Sequence, residues 1–254
     1  MKRIDIIIPY IMGPDNGLEL KFALRSIARN FIYKNYRVII VGDKPDWLTK
    51  AVHVPLKRAP EQKNRNFTDQ LVKLYSVLTT MDISADFVWT YDDVYFTREV
   101  MPDDIALLKA VAGFDRYPNH LDGKGAGPNW TETFFTTLDA VKKDGGSGYN
   151  YETHLPRWFN KKKVLALFEK YQLLGTPMMI STLYYNLYHR SEQPVCLFDN
   201  NPGIRFLPRT TIDYETTKKL MLKNQFTNNA PASWNQVTKK ALTELFPEKS
   251  AFEI

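Results

Sequence analysis

The run Phe87-Val88-Trp89-Thr90-Tyr91, followed at once by Asp92-Asp93, constrains this chain more than any other stretch. Successive apolar, aromatic and β-branched residues read as a strand covered on both faces, as in a parallel sheet. Open α/β sheets bind ligands just beyond the carboxyl ends of their strands. Two carboxylates at that place make an oxygen-rich site suited to a hard divalent cation, Mg²⁺ or Mn²⁺. Side chains alternate along an extended strand. Asp92 and Asp93 therefore share one ion only if the chain turns at Asp93. Otherwise one acid holds metal and the other a ribose hydroxyl or a metal-bound water.

The preceding sequence supplies the rest of such a sheet. Arg3 to Tyr10 reads as a strand stopped by Pro9, and Arg37 to Gly42 as a second one ending at Asp43. Between them Leu18, Leu20, Phe22, Leu24, Ile27 and Ala28 recur at roughly helical spacing. Strand, helix, strand is the right-handed parallel βαβ unit. A polar loop around Arg65 leads to a helix from Thr68 to about Thr80, with Leu71, Leu74, Tyr75 and Leu78 on one face. Pro102-Asp103-Asp104 opens a further helix that stops at Gly113. The expected fold is α/β, a Rossmann-type, mostly parallel sheet flanked by helices, with a helical and irregular C-terminal half.

The second half is less periodic. His120 to Asn129 reads as a loop and Trp130 to Lys143 as a helix. Asn160 caps a helix through Tyr171 with Gly175 beyond it, and Met178 to Arg190 forms another. Ser233 and Gln236 make a capping box for a last helix ended by Pro247. Gly145-Gly146-Ser147-Gly148 reads as a mobile loop, flanked by Trp130, Tyr149, Tyr151 and Trp158. With 254 residues and no boundary signal, we expect one domain, 1–254. Its two expected halves are about 1–113, which carries the strand ends, and about 114–254.

Composition narrows the class. At 44% hydrophobic residues the chain has a core to build, which excludes global disorder. No apolar run approaches a membrane span, and no signal-peptide pattern is present. The single cysteine, Cys196, permits no internal disulfide and fits a reducing, cytoplasmic setting. The net charge of +6 suits polyanionic partners without choosing among them. Neither a P-loop nor a Gly-x-Gly-x-x-Gly element occurs, which disfavours a P-loop kinase, an ATPase or a dinucleotide dehydrogenase.

Three strand ends fall on one sheet edge, and each offers different chemistry. Pro9-Tyr10 offers an aromatic face for a base, and Asp43 an acceptor for a base N–H or a ribose hydroxyl. Asp92 and Asp93 offer metal ligands for a diphosphate. Arg65 reaches phosphate bidentately. In the irregular stretch that follows, His154 fits a general base, a metal ligand or a phosphate contact. Glu152 and Asp122 are the alternative carboxylate bases.

These strand ends resemble the nucleotide-binding half of a GT-A glycosyltransferase. Several short motifs are similar, more narrowly, to the Stealth family of sugar-phosphate transferases. They are Asp15-Asn16-Gly17-Leu18-Glu19-Leu20, Leu24-Arg25-Ser26-Ile27, Pro45-Asp46-Trp47-Leu48, Tyr91-Asp92-Asp93-Val94-Tyr95-Phe96, Thr153-His154-Leu155-Pro156 and the ending Leu245 to Glu253. Tyr91 stands where that family favours Asn. The GT-A resemblance implies metal-dependent transfer of a sugar from a nucleotide-diphosphate donor to a hydroxyl acceptor. That acceptor is a glycan or small carbohydrate, or alternatively a nucleic acid bearing a hydroxymethylated base. The Stealth resemblance implies sugar 1-phosphate transfer instead. A non-catalytic nucleotide-sugar-binding protein is the alternative of another class.

Overall fold

The computed structural model describes residues 2–58, 65–116, 128–197, 203–206 and 213–254, without the side chains of residues 65, 116, 128 and 203–206. Its centre is a five-stranded sheet. Four strands are parallel: β1 (Ile4–Tyr10), β2 (Tyr36–Gly42), β3 (Val52–Pro55) and β4 (Asp86–Trp89). They lie in the order β3-β2-β1-β4, and the strand Arg157–Asn160 closes the far side antiparallel to β4.

The strand pattern explains the layers. Every residue of β1 is buried. Ile6 and Ile8 pack with Leu20, Leu24 and Ile27 of helix α1 (Leu18–Asn30) on one face. Ile7 packs with Leu71, Leu74 and Leu78 of α2 (Arg65–Thr80) on the other. A strand sandwiched in this way has no polar face, so its sequence is continuously apolar rather than alternating. Asp5 is the exception, fully buried but held by the Arg37 guanidinium at 2.8 Å and by the Ser84 backbone N–H at 2.6 Å. Despite the cost of burying it, these hydrogen bonds hold its carboxyl below the usual range.

Several expectations are corrected. The helix expected from Pro102 to Gly113 ends at Ala106 as α3 (Pro102–Ala106), and Lys109–Ala110 instead pairs with Val195–Cys196. Lys109 explains the stop, because its ammonium turns back onto the Asp104 and Leu107 carbonyls. The remaining helices are α4 (Pro128–Lys143), α5 (Lys161–Tyr171), α6 (Ile180–Tyr188), α7 (Tyr214–Lys223) and α8 (Gln236–Leu245). Asn160 caps α5, with its side chain accepting from Lys163 N, but Gln172 rather than Gly175 takes the left-handed position at the end. Helix α8 is capped by Asn235, not Ser233, through Val237 N and Thr238 N.

The segment Gly145 to Gly148 is not a free loop. The Asn186 side-chain oxygen accepts from Ser147 Oγ, Gly148 N and Tyr149 N. A Cβ on Gly146 would lie 2.5 Å from Val141, so this glycine serves close packing. Tyr151 is buried in the core beside it, which makes packing its role. His120 and Asp122 lie outside the described residues.

The Phe226–Asn229 strand has no counterpart in the sequence reading. It pairs antiparallel with β5 (Val94–Phe96). Asn is depleted in strands, so Phe-Thr-Asn-Asn does not announce one. Its register nevertheless places Asn228 opposite Val94, directly after Asp93. The C-terminus also folds back onto α1, where Arg25 holds Glu253 bidentately at 2.8 and 2.7 Å. Among the described residues, no helix is long and apolar enough to cross a membrane.

Candidate active site at the sheet edge

β1 and β2 end level, with Tyr10 opposite Gly42, while β4 leaves the sheet at Trp89. The expected strand through Tyr91 is therefore two residues shorter. Thr90 N still donates to Ile7 O at 3.1 Å, and Val94 N then donates to Tyr91 O at 3.3 Å. That second bond closes a turn with Asp92 and Asp93 in its middle. The turn frees the two acids from the alternation of an extended strand, and both line the same cavity of about 360 Å³.

The two walls of the cavity are chemically unlike. One is the polar stripe of α2, residues Asn66, Asp69, Gln70 and Lys73, at the spacing of one helix face. Here the charges are settled. Lys73, 1% exposed, pairs with Asp69 at 2.8 Å and donates to the Tyr10 carbonyl at 3.0 Å. Only a glycine fits beside this contact: Gly42 has φ +124, and a Cβ there would sit 2.1 Å from that same carbonyl.

The opposite wall is Tyr91, Asp92, Asp93 and His154. His154 Nε2 lies 2.9 Å from both oxygens of Asp93. Asp92 is half-buried and makes no ion pair with any described residue. Burial first, then the neighbouring charges of Asp93 and Glu19, holds its carboxyl well above the usual carboxylate range. Behind the turn, Glu19 accepts from Asn229 Nδ2 at 2.7 Å. Asn229 in turn accepts from the buried Tyr95 hydroxyl at 2.8 Å. Burial, with Asp93 and Asp15 nearby, pushes Glu19 up to about 7.

The residues chosen from sequence divide accordingly. Pro9, Asp92, Asp93 and His154 meet at the cavity. Tyr10 does not offer a face to a base: its ring is 2% exposed, packed among the α1 side of the core, with its hydroxyl on Met12 Sδ. Asp43 is exposed and accepts from Met12 N at 2.7 Å, which shapes the loop after β1. Arg65 starts α2 instead of sitting in a loop, and its side chain lies outside the described residues. Glu152 is turned away from the cavity. Its carboxylate accepts from Arg157 Nη2 at 3.0 Å and Thr182 N at 3.3 Å, so its lone pairs are engaged in a structural pair. Asp122, the other carboxylate base, lies outside the described residues.

Sequence alone does not mark Glu19 and Lys73 as chemistry-bearing residues. Each sits on an amphipathic helix, where a single charged residue reads as solvent-facing. Only the placement of α1 and α2 at the ends of β1 and β4 turns them inward.

The comparisons with known proteins agree with this architecture. No family model matches the sequence, and no curated protein matches it. Among solved structures, the chain is similar to the galactosyltransferase LgtC in complex with donor and acceptor sugar analogs. The identity is 11%, the TM-score 0.52, and the match covers 97% of this chain and 96% of that one. It is also similar to the bifunctional glycosyltransferase WbbM, at 11% identity and a TM-score of 0.51 over 98% of this chain. This chain spans half the length of WbbM, 50% of it being covered. The fold is thus GT-A-like, a mostly parallel sheet flanked by helices.

Proposed function

We propose that the protein is a metal-dependent glycosyltransferase that moves a sugar from a nucleotide-diphosphate donor to a hydroxyl of a glycan or small carbohydrate. One observation carries this reading. In a GT-A-like chain, the turn after β4 projects two carboxylates into a cavity where Asp92 makes no ion pair among the described residues. An uncompensated half-buried carboxylate is costly unless something cationic binds to it.

The donor set fits Mn²⁺ or Mg²⁺. Nε2 of His154 stands 2.9 Å from each Asp93 oxygen. That contact is a charge-assisted hydrogen bond, which engages Nε2 and orients the Asp93 carboxylate from behind. Among the described residues no three His, Cys, Asp or Glu side chains are already gathered round one point. The protein would then supply Asp92 and Asp93, with His154 orienting Asp93, and the donor's phosphate oxygens would supply the rest, as is usual for such ions. When bound, the ion neutralises charge developing on the leaving diphosphate.

The remaining roles belong to this chain. Lys73 and Asp69, fixed by each other, hold the opposite wall rigid, and Asn66 and Gln70 on the same stripe offer their amides to the donor's hydroxyls. His154 is occupied by Asp93 and Glu152 by Arg157. Glu19, held near 7 behind the acidic turn but outside the lining of the cavity, is the remaining candidate to take a proton from an acceptor hydroxyl.

A second reading, transfer of the intact sugar 1-phosphate, is favoured by one contact. His154 on Asp93 joins two of the motifs that resemble the Stealth family. Product analysis separates the two readings. Incubation with a panel of nucleotide sugars, Mn²⁺ and carbohydrate acceptors should release nucleoside diphosphate for glycosyl transfer. Nucleoside monophosphate marks sugar-phosphate transfer. Tight donor binding with neither product would leave a nucleotide-sugar-binding protein.

A further inference from the structure

His154 occupies a conformation that its own backbone disfavours. Its φ is +53, in the left-handed region that residues with a Cβ seldom adopt. Such a residue persists only where its surroundings over-determine it. Two of the restraints are plain. Asn228 Nδ2 donates to the His154 carbonyl at 3.1 Å, and Asp93 meets the ring edge. Neither fixes the tilt of the imidazole, because the ring can still rock about the line from Nε2 to the carboxylate.

The third restraint is Tyr91. Its ring lies 4.5 Å from the imidazole, centroid to centroid, at an interplanar angle of 2°. Tyr91 is itself locked. Arg157 Nη1 donates to its hydroxyl, which also donates to Gln70 Oε1 at 3.3 Å. Arg157, 4% exposed, is anchored on Glu152 at 3.0 Å. The chain of contacts runs from Glu152 through Arg157 and Tyr91 to His154 and ends at Asp93. This explains why Glu152, an expected base, is spent on an ion pair away from the cavity.

We propose that Tyr91 is a positioning residue. It is a fixed aromatic plate that holds the His154 imidazole in the plane where Nε2 addresses both oxygens of Asp93. Tyr91 touches no reacting atom in this role, and the effect reaches the chemistry through His154. The structural claim stands without any assigned activity, and only its kinetic consequence rests on the transferase reading above.

The test reads the ring directly. In ¹⁵N-labelled metal-free protein the four imidazoles are resolved by long-range ¹H–¹⁵N correlation, and His154→Asn assigns the relevant set. A ring stacked face to face on a tyrosine has its C–H protons shifted upfield. That shift should persist in Tyr91→Phe and disappear in Tyr91→Leu. Tyr91→Met, which fills more of the volume, answers the same question if the leucine variant does not fold. His154 resonances left at their wild-type positions by a folded Leu or Met variant would overturn the proposal.

Kinetics supply the second arm. Tyr91→Leu should lower kcat by about 10- to 100-fold, the size expected from a misplaced group at a reacting centre. KM for the donor should stay within about threefold, and Tyr91→Phe should restore kcat to within about threefold of wild type. A rise in KM with kcat unchanged would also overturn the positioning role. If the wild type turns over no nucleotide sugar while the upfield shift behaves as described, the transferase reading fails and the positioning of His154 stands.

Discussion

Asp69 and Asp92 face the same cavity from opposite walls and are handled in opposite ways. Asp69 is 4% exposed, and Lys73 neutralises it at 2.8 Å. Asp92 sits in a turn beside another carboxylate and near a third, with no ion pair among the described residues. A buried charge with its partner in place is architecture, because removing either half leaves the other stranded. A cluster of like charges without one is a site whose stability improves when a cation arrives. The difference tells which wall holds the fold and which wall awaits a ligand.

Mutation of the two walls should separate these roles. The largest effect is expected from Asp93→Asn or Asp92→Asn, which should cut turnover by about 10²- to 10³-fold, read as steady-state kcat. Asp92→Asn should also keep or raise the Tm of the metal-free protein. If it unfolds the protein instead, the acidic wall is structural and the contrast collapses. Lys73→Met should act the other way. By breaking this buried pair it should cost about 3–5 kcal/mol of stability in urea denaturation. A loss under about 1 kcal/mol would show that the pair is not what fixes that wall.

Metal addition sharpens the contrast. Saturating Mn²⁺ at 100 times its Kd should stabilise the protein by about 2.7 kcal/mol. Calorimetry should show the Tm rise, with a smaller rise as the pH is lowered, and none in Asp93→Asn. The pH dependence follows from the direction of the Asp92 shift, since a carboxyl held above its usual range must lose a proton before it binds an ion.

The smallest effect is the stability change in Glu19→Gln. The folded value of Glu19, about 7, lies above its ordinary 4.5. Its contribution is therefore fully present below about 4.5 and is lost as pH rises through about 7. The Gln variant, which cannot ionise, should be more stable than wild type by about 1–2 kcal/mol at pH 8. That advantage should vanish near pH 4. An advantage of the same size at both pH values would mean that burial does not raise the Glu19 carboxyl. The same substitution should lower kcat by about 10²-fold or more if Glu19 takes the acceptor proton.

Legibility differed along the chain for identifiable reasons. β1, α1 and β2 were evident because their apolar residues follow the period of the element they form, and tertiary packing reinforces that preference. The helix after Pro102 was overextended because Lys109 reads as a surface residue, whereas it closes the helix from inside. Ser233 lost the cap to Asn235 because either residue can bond the first helical N–H groups, and the 3₁₀ turn Pro231–Ser233 decides which one reaches. Tyr10 reads as an open face because a strand-end aromatic carries no label saying which way its ring packs.

The sequence by itself determined that this chain builds a mostly parallel sheet and that acids stand at the end of one of its strands. Those are properties of local periodicity and of strand ends. Tertiary structure decided which acids are compensated and which side chains address them. Glu19, Lys73, His154 and Asn228 come from four separate stretches, and their meeting depends on register and on helix rotation. A single one-residue slip in pairing turns such a side chain to the opposite face. The chemistry of the cavity is thus a consequence of packing, expressed through residues that local pattern leaves silent.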